Sequence, residues 1–309
     1  MRKASLDCVL QLARRDERVL FIGSDLGAGT LEAFRQEFPE RFFMEGIAEQ
    51  HLIGMAAGLA MEGFIPYVNT IASFLTRRCL EQIVIDLCLH NLPVRLIGNG
   101  GGLVYAPLGP THLAPDDLAL MRALPNMTIL APADAVQMRA CMAKTLEWPG
   151  PIYLRLGKGG DPVVCDPEAP CAIGVADTMR QGTEALFVTT GVMLQRALLA
   201  CDILRSEGIE CGVLHLHTVK PLDETALLAA ARRYPLLVTL EEHALIGGLG
   251  SGVVELLMDR RVTPLPRVLR LGLPDRFCEH YGSQEALLHA FGLHPAAIAA
   301  RVAGMVKTP

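Results

Sequence analysis

Residues 128–156 read TILAPADAVQMRACMAKTLEWPGPIYLRL. Two short apolar runs, Thr128–Leu130 and Ile152–Leu156, have the length of strands, and Ala133–Glu147 between them has the length of a helix. Strands that are apolar throughout and separated by helices belong in a parallel sheet covered on both faces. The same alternation runs upstream. Val19–Gly23 is a strand broken by Gly27 and Gly29, and Ala48–Met61 has the small, uncharged composition of a buried helix. Thr76–His90 predicts a helix with Leu80, Ile83, Val84 and Leu87 on one face, Pro93–Ile97 a strand ending at Gly98, and Asp116–Ala123 a helix.

Downstream, Gly157–Cys171 holds three glycines and three prolines with no apolar period, the composition of an interdomain connection. Then the alternation resumes. Ala185–Thr189, Glu210–Leu214, Leu236–Leu240 and Pro266–Arg270 read as strands. Val192–Ser206, Asp223–Arg232 and Gly252–Asp259 read as helices, and Gly282–Val302 closes as helical segments. The expected fold class is therefore α/β, in two domains, each a mainly parallel sheet flanked by helices. We set the boundaries at 1–160 and 173–309, with a linker over 161–172. The length of 309 residues suits two domains at about 150 residues each.

Composition narrows the function. The chain has 28 basic and 33 acidic residues and a formal charge of −5, so it offers no basic excess to follow a phosphate backbone; nucleic acid is not expected as a partner. The mean hydropathy of +0.33 is high. Yet no run of 18 uncharged apolar residues occurs, so no membrane span is expected, and the excess points to surface hidden against a partner. The first 20 residues are interrupted by Asp7, Arg14, Arg15, Asp16, Glu17 and Arg18, unlike a signal peptide. Nine cysteines without a C-x-x-C predict free thiols in a reducing cytoplasm, with neither disulfides nor a zinc site.

Glu49 lies in Met44-Glu-Gly-Ile-Ala-Glu-Gln-His51, inside the apolar helix. A carboxylate there is costly to bury unless paired or protonated; an acid helped by the helix dipole explains it equally well. His112, in Gly109-Pro-Thr-His112, could donate or accept a proton near neutral pH, or be an idle loop residue. Two glycine-rich loops follow strands: Gly98-Asn-Gly-Gly-Gly102 and Gly247–Gly252. Either could hold an anion, though neither has a recognised phosphate-binding spacing, and tight turning or close helix packing explains both. Arg155 and Lys158 end a parallel strand, where ligands bind, but an interdomain salt bridge accounts for them too.

The order of these segments is more telling than any one of them. Glu45-Gly-Ile-Ala-Glu-Gln-His51, Ser73-Phe-Leu75, Asn91-Leu-Pro-Val94, Gly109-Pro-Thr-His112, Leu120-Met-Arg-Ala-Leu-Pro-Asn-Met127, Ala131-Pro-Ala-Asp134 and Tyr153-Leu-Arg155 resemble the pyrimidine-binding domain of the transketolase family, whose relatives include 1-deoxyxylulose-5-phosphate synthase. Val219-Lys-Pro-Leu-Asp-Glu224, Glu241–Ser251, Leu273-Pro-Asp275 and Tyr281-Gly-Ser283 resemble its C-terminal domain. The resemblance covers about residue 20 to the end.

It implies thiamine diphosphate as cofactor. Glu49 matches the acid that contacts N1′ of the aminopyrimidine, where a carboxyl favours the imino tautomer that takes the proton from thiazolium C2. Phe74 matches the aromatic residue stacked on the pyrimidine, and Asp25 an acid near the cofactor. His112 matches a histidine that hydrogen-bonds substrate oxygens, and Arg155 an arginine for the acceptor's phosphate. Leu108 stands where transketolases carry an acid that reads a sugar hydroxyl, and Gly100 where they carry a phosphate-contacting histidine. Both departures point to a modified, deoxy or dephosphorylated sugar.

No Gly-Asp-Gly segment for Mg²⁺ and the diphosphate occurs, and no metal ligands are expected in this chain. The resemblance thus implies one subunit of a split transketolase. Its partner would carry the diphosphate domain and most of the Mg²⁺ contacts, in an α₂β₂ heterotetramer. Such an enzyme moves a two-carbon ketol unit from a ketose to an aldose, both of them sugars or sugar phosphates. A deoxyxylulose-phosphate-synthase-like condensation and a 2-oxo-acid dehydrogenase β subunit are the alternatives; Gly109-Pro-Thr-His112 argues against the latter. A non-catalytic partner subunit is a further alternative, opposed by the joint presence of Glu49, Phe74 and His112.

Overall fold

The computed structural model describes residues 1–24 and 31–307. Its first half runs α1 (Arg2–Arg15), β1 (Val19–Gly23), α2 (Glu32–Glu37), β2 (Phe42–Met44), α3 (Glu49–Met61) and β3 (Ile65–Ile71). A helical stretch follows, with α4 (Leu80–Gln82) between two wider turns, then β4 (Arg95–Asn99), α5 (Asp117–Arg122), β5 (Thr128–Leu130), α6 (Ala135–Thr145) and β6 (Ile152–Leu156). The second half runs β7 (Asp177–Arg180), β8 (Ala185–Thr189), α7 (Met193–Ser206), β9 (Cys211–His215), β10 (Thr218–Lys220), α8 (Glu224–Arg233), β11 (Leu236–Ala244), α9 (Leu249–Asp259), β12 (Arg267–Leu273), α10 (Gln284–Ala290) and α11 (Pro295–Lys307).

These elements build two sheets. The first has seven strands in the order β10-β5-β6-β4-β3-β1-β2, and the second has five in the order β12-β11-β8-β9-β7. Within the first, β5 and β6 pair in parallel at Thr128↔Ile152, Ile129↔Tyr153 and Leu130↔Leu154, and α6 is their crossover. All first-sheet pairs are parallel except β10 with β5. In the second sheet β7 alone is antiparallel, to β9. The expected α/β class in two mainly parallel sheets holds.

Each sheet has a core on both faces, which is why its strands carry so few polar residues. On the first, Val9 and Leu12 of α1 pack with Met138 and Cys141 of α6 on one side. Leu52, Ile53 and Ala56 of α3 pack with Leu118 and Met121 of α5 on the other. On the second, α7 and α11 cover one face through Leu194, Ala197, Ile298 and Val302, and α8 and α9 cover the other through Leu227, Val253 and Leu257.

Three local differences from the sequence expectation have physical causes. Thr76–His90 is not one straight helix: Phe74–Arg78 and Ile83–Cys88 are π-helical turns flanking α4. Such widened turns redirect side chains and concentrate at functional sites. α1 escaped notice because its charges break the apolar run, yet they lie on the outer face of an amphipathic helix whose Leu6, Val9 and Leu12 are buried. β10 follows β9 in the chain but joins the first sheet. There the Lys220 ammonium donates to the carbonyls of Arg122, at 2.9 Å, and Leu124, beyond the C-terminal end of α5.

The apolar stretch Gln284–Lys307 is two helices of 7 and 13 residues, each short of the about 20 that a membrane span needs, and Ile298, Ala299, Val302 and Ala303 are buried.

Candidate active site

Glu49 is the first residue of α3, is 2% exposed, and has its carboxylate at the helix N-terminus. Phe74 opens the π-helical turn that follows β3, four residues before Arg78. His112 is brought to the same place by a closed loop. Gly102 and Ala114 exchange backbone hydrogen bonds of 3.0 and 2.9 Å, so residues 103–113 fold back toward the end of β3. The Ser73 hydroxyl donates to the His112 carbonyl at 3.2 Å and fixes the loop against the turn.

The result is a continuous contact chain. The Phe74 and His112 rings meet edge to face with centroids 5.1 Å apart. The Arg78 guanidinium lies 4.5 Å from the Phe74 centroid and donates to Glu49 Oε2 at 2.5 Å. Thr111 Oγ1 sits 2.9 Å from His112 Nδ1, leaving Nε2 for another partner. Arg78 is 43% exposed, so the pair joins a buried acid to a partly solvated base. Beside it, burial and then the Glu49 charge push the Cys79 thiol up to about 12, so Cys79 stays protonated and inert.

These residues fit an aminopyrimidine. The ring needs a buried carboxyl for one ring nitrogen and an aromatic face to stack on. Arg78 already demonstrates both contacts, as a flat group that donates to Glu49 while covering Phe74. Sequence reasoning passed over Arg78, and the only signal was its place four residues after Phe74.

Arg155 does not join this group. Its guanidinium Nε lies 2.8 and 3.1 Å from the two carboxylate oxygens of Asp117, and an Nη donates to the Glu242 carbonyl at 2.8 Å. The Tyr153 hydroxyl donates to the same carboxylate at 2.8 Å. Arg155 is 6% exposed and Asp117 fully buried. Burial opposes the Arg155 charge, but Asp117, with help from Glu242 and Tyr153, more than offsets it and the net shift is upward. Arg155 therefore ties the first sheet to β11 through a hydrogen bond, whereas its salt bridge, expected between the domains, is to Asp117 of α5 in the same half. Lys158 lies apart, beside Met1, Arg2 and Arg139 at the surface. Leu108 ends a single 3₁₀ turn, half exposed, three residues before Thr111. Asp25 lies outside the described residues.

Neither glycine-rich loop is an open anion site. In the first, a Cβ at Gly98 would meet the Tyr153 ring, at Gly101 the Arg155 side chain and at Gly102 Glu242. At Gly100, where φ is +76°, it would overlap Tyr105. The second loop holds the protein's own carboxylate: Glu241 accepts from the N–H groups of Leu249, at 2.6 Å, and Gly250, at 2.9 Å. Gly248 is needed because a Cβ there would collide with that carboxylate.

A cleft of about 370 Å³ lies between the two halves, lined by Arg77, Pro110, Asp116, Leu273, Asp275 and Phe277 among others. Arg77 and Asp116 close one side with an ion pair of 2.6 Å. Arg77 and Pro110, the chain neighbours of Arg78 and Thr111, face this cleft.

Two family models match the chain: the transketolase pyrimidine-binding domain over residues 1–160 and the transketolase C-terminal domain over 174–298. The chain is 42% identical over 297 residues to 1-deoxy-D-xylulose-5-phosphate synthase 1 of Geobacter sulfurreducens, covering 95% of this chain but only 46% of that protein. It therefore spans about half the length of that relative. It is 35% identical to the 6-deoxy-6-sulfo-D-fructose transketolase subunit SqwH of a Clostridium species, over 95% of this chain and 90% of that one. Among solved structures, a split-gene transketolase described as an inactive beta4 tetramer matches with a TM-score of 0.91 and 38% identity, over 99% and 98% of the two chains.

Proposed function

Because this chain belongs to the transketolase family, carrying its pyrimidine-binding and C-terminal domains, we propose that it is one subunit of a split, thiamine-diphosphate-dependent transketolase. The reaction is transfer of a two-carbon ketol unit from a ketose to an aldose acceptor. The observation that carries this reading is the convergence of Glu49, Phe74 and His112 on one contact chain from three separate segments.

Bound thiamine diphosphate would supply a carbon nucleophile and an electron sink. Glu49 would hold the aminopyrimidine and exchange a proton at its carboxyl, and Phe74 would offer the ring to stack on. Arg78 has to leave the Phe74 face for either contact to form. His112, oriented through Nδ1 by Thr111, would present Nε2 to a substrate oxygen. Burial of Glu49 keeps water from competing for its carboxyl.

A partner would carry the diphosphate and Mg²⁺ domain in an α₂β₂ assembly; what supports a partner is that SqwH, a relative matched over 90% of its length, is itself a transketolase subunit. Exposed Ile47, Leu89 and Phe277, at 71, 69 and 86%, supply apolar area for such contacts. The 42% identity to a deoxyxylulose-phosphate synthase favours one second reading, a condensation that decarboxylates pyruvate.

The decisive experiment is reconstitution with the partner and assay of ketol transfer against pyruvate-dependent condensation. Glu49→Gln in the assembled enzyme is expected to cut turnover by roughly 10²-fold or more while the melting curve stays cooperative. Turnover near that of the unmodified enzyme would end the assignment of Glu49. Pyruvate-dependent product alone would replace the transketolase reading with the synthase one.

A further inference from the structure

A second cluster of chemically capable side chains lies away from Glu49. Cys141 is on α6, Cys171 in the connection between the two sheets, and His217 immediately before β10. Cys141 Sγ is 3.6 Å from Cys171 Sγ, and Cys171 Sγ is 3.4 Å from His217 Nε2. All three ligand atoms lie within 4.8 Å of one another.

Those separations have a simple meaning. A tetrahedral zinc ion with bonds of about 2.3 Å to sulfur and 2.0–2.1 Å to nitrogen places two sulfurs about 3.8 Å apart and sulfur about 3.5 Å from nitrogen. Both observed separations come within a few tenths of an ångström of these values. We propose that Cys141, Cys171 and His217 form a structural site for zinc or a similar thiolate-seeking divalent cation.

The surroundings support a built site. His217 Nδ1 is 3.2 Å from Thr218 Oγ1, an outer partner that orients the imidazole so that Nε2 faces the two sulfurs. Thr218 Oγ1 also accepts from the Gly174 N–H at 3.0 Å, tying the connection to the same residue. Cys171 and Asp177 line a cleft of about 390 Å³, an entry path with room for a fourth ligand. The fourth position would be filled by water from that cleft, whose wall also carries the Asp177 carboxylate, held by the Gln137 amide at 2.8 Å. The competing reading is a Cys141–Cys171 disulfide, which needs an external oxidant such as a peroxide and gives the His217 imidazole no part. The ion would join α6, the interdomain connection and the start of β10, where the second half adds a strand to the first sheet. Its role is to fix the two halves, outside the chemistry at Glu49.

The test uses the full chain purified under reductant, loaded with Zn²⁺, dialysed and analysed for metal. About one ion per chain is expected, and Co²⁺ in its place should give thiolate-to-metal charge-transfer absorption. Cys171→Ser and His217→Gln should each weaken Zn²⁺ binding by more than about 100-fold. Thr218→Val, which removes the hydroxyl contact to His217 Nδ1, should weaken it about 10-fold. Cys201→Ser, a buried cysteine of α7, should leave it unchanged. Metal retained in Cys171→Ser would overturn the proposal. So would a folded, reduced wild-type chain that binds no more Zn²⁺ than that variant. A Cys141–Cys171 disulfide found by peptide mapping in chain that stays metal-free after reduction would replace it with the redox reading.

Discussion

Arg155 is the residue on which the sequence and the structure give different expectations, so its replacement is the sharpest test. The family resemblance makes it a ligand for a substrate phosphate; the structure buries it against Asp117, Tyr153 and Glu242. Arg155→Met removes the charge while keeping most of the side-chain volume. It strands the buried Asp117 carboxylate, whose remaining donors are the Tyr153 hydroxyl and the Leu118 N–H. Breaking a buried pair by removing one partner costs about 3–5 kcal/mol. A domain of this size loses about 2–4 °C per kcal/mol, so the melting temperature should fall by about 6–20 °C. Asp117→Leu should cost a similar amount, because it strands the guanidinium. The double variant should recover most of the loss, since an apolar pair can replace a buried ion pair at little cost. The measurement is scanning calorimetry of all four proteins at neutral pH. If Arg155→Met melts within about 1 °C of wild type and instead raises KM for a phosphorylated acceptor, the interdomain reasoning is wrong.

Three other outcomes are expected. Asp134 caps α6 through the Val136 and Gln137 N–H groups, both at 2.9 Å, and holds the connection through Val164 and Cys165, both at 2.8 Å. Burial opposes its charge, but the hydrogen bonds from Gln137, Val164 and Cys165 outweigh it and lower the carboxyl below the ordinary 3.8. Its stabilisation is therefore complete above pH 3.8 and lost as pH falls through the lowered value. Asp134→Asn should cost about 2–4 kcal/mol at neutral pH, with the gap to wild type closing below pH 3.8 in denaturant titrations; a pH-independent gap would refute this. Arg78→Met should cost about 1–2 kcal/mol by thermal melting, because Glu49 loses its partner, and adding Glu49→Gln should restore most of it; unchanged melting of Arg78→Met would contradict the contact. Leu108→Asp, at a half-exposed turn, should shift melting by less than about 0.5 kcal/mol while moving acceptor preference toward 2-hydroxy aldoses, by up to about 10⁴-fold; an unchanged acceptor profile in the assembled enzyme would remove Leu108 from the substrate surface.

Much of the scaffold was legible because it is local. Most buried parallel strands announce themselves by a short apolar run, as at Val19–Gly23 and Ile152–Leu156, and most covering helices by a stripe. β3 was not legible, because its C-terminal half carries Asn69 and Thr70, both fully buried. Their polar groups are met from neighbouring strands: the Asn99 amide donates to Asn69 Oδ1 at 2.7 Å, and Ser24 and Thr70 share a hydroxyl contact of 3.0 Å. A polar residue inside a sheet looks like a loop residue until its partner is known. Gly100 is a similar case. The sequence showed only that a family histidine was missing, whereas the loop's positive φ and the Tyr105 ring explain why no side chain fits.

The candidate site was legible in part. Glu49, Phe74 and His112 stand out by motif, and the structure brings them together. Their connection through Arg78 was not, nor was the withdrawal of Arg155 into an interdomain tie. The sequence by itself determined the α/β class, the two sheets and the segments that carry the candidate site residues, since periodicity and motif order are properties of neighbouring residues. Only the tertiary structure decided which charges pair and which thiols meet a histidine. Arg155 reaches Glu242 across 87 residues, and Cys141, Cys171 and His217 are spaced by 30 and 46. Such encounters follow from strand order, from β10 crossing to the first sheet and from the path of the connection, and no local spacing encodes them.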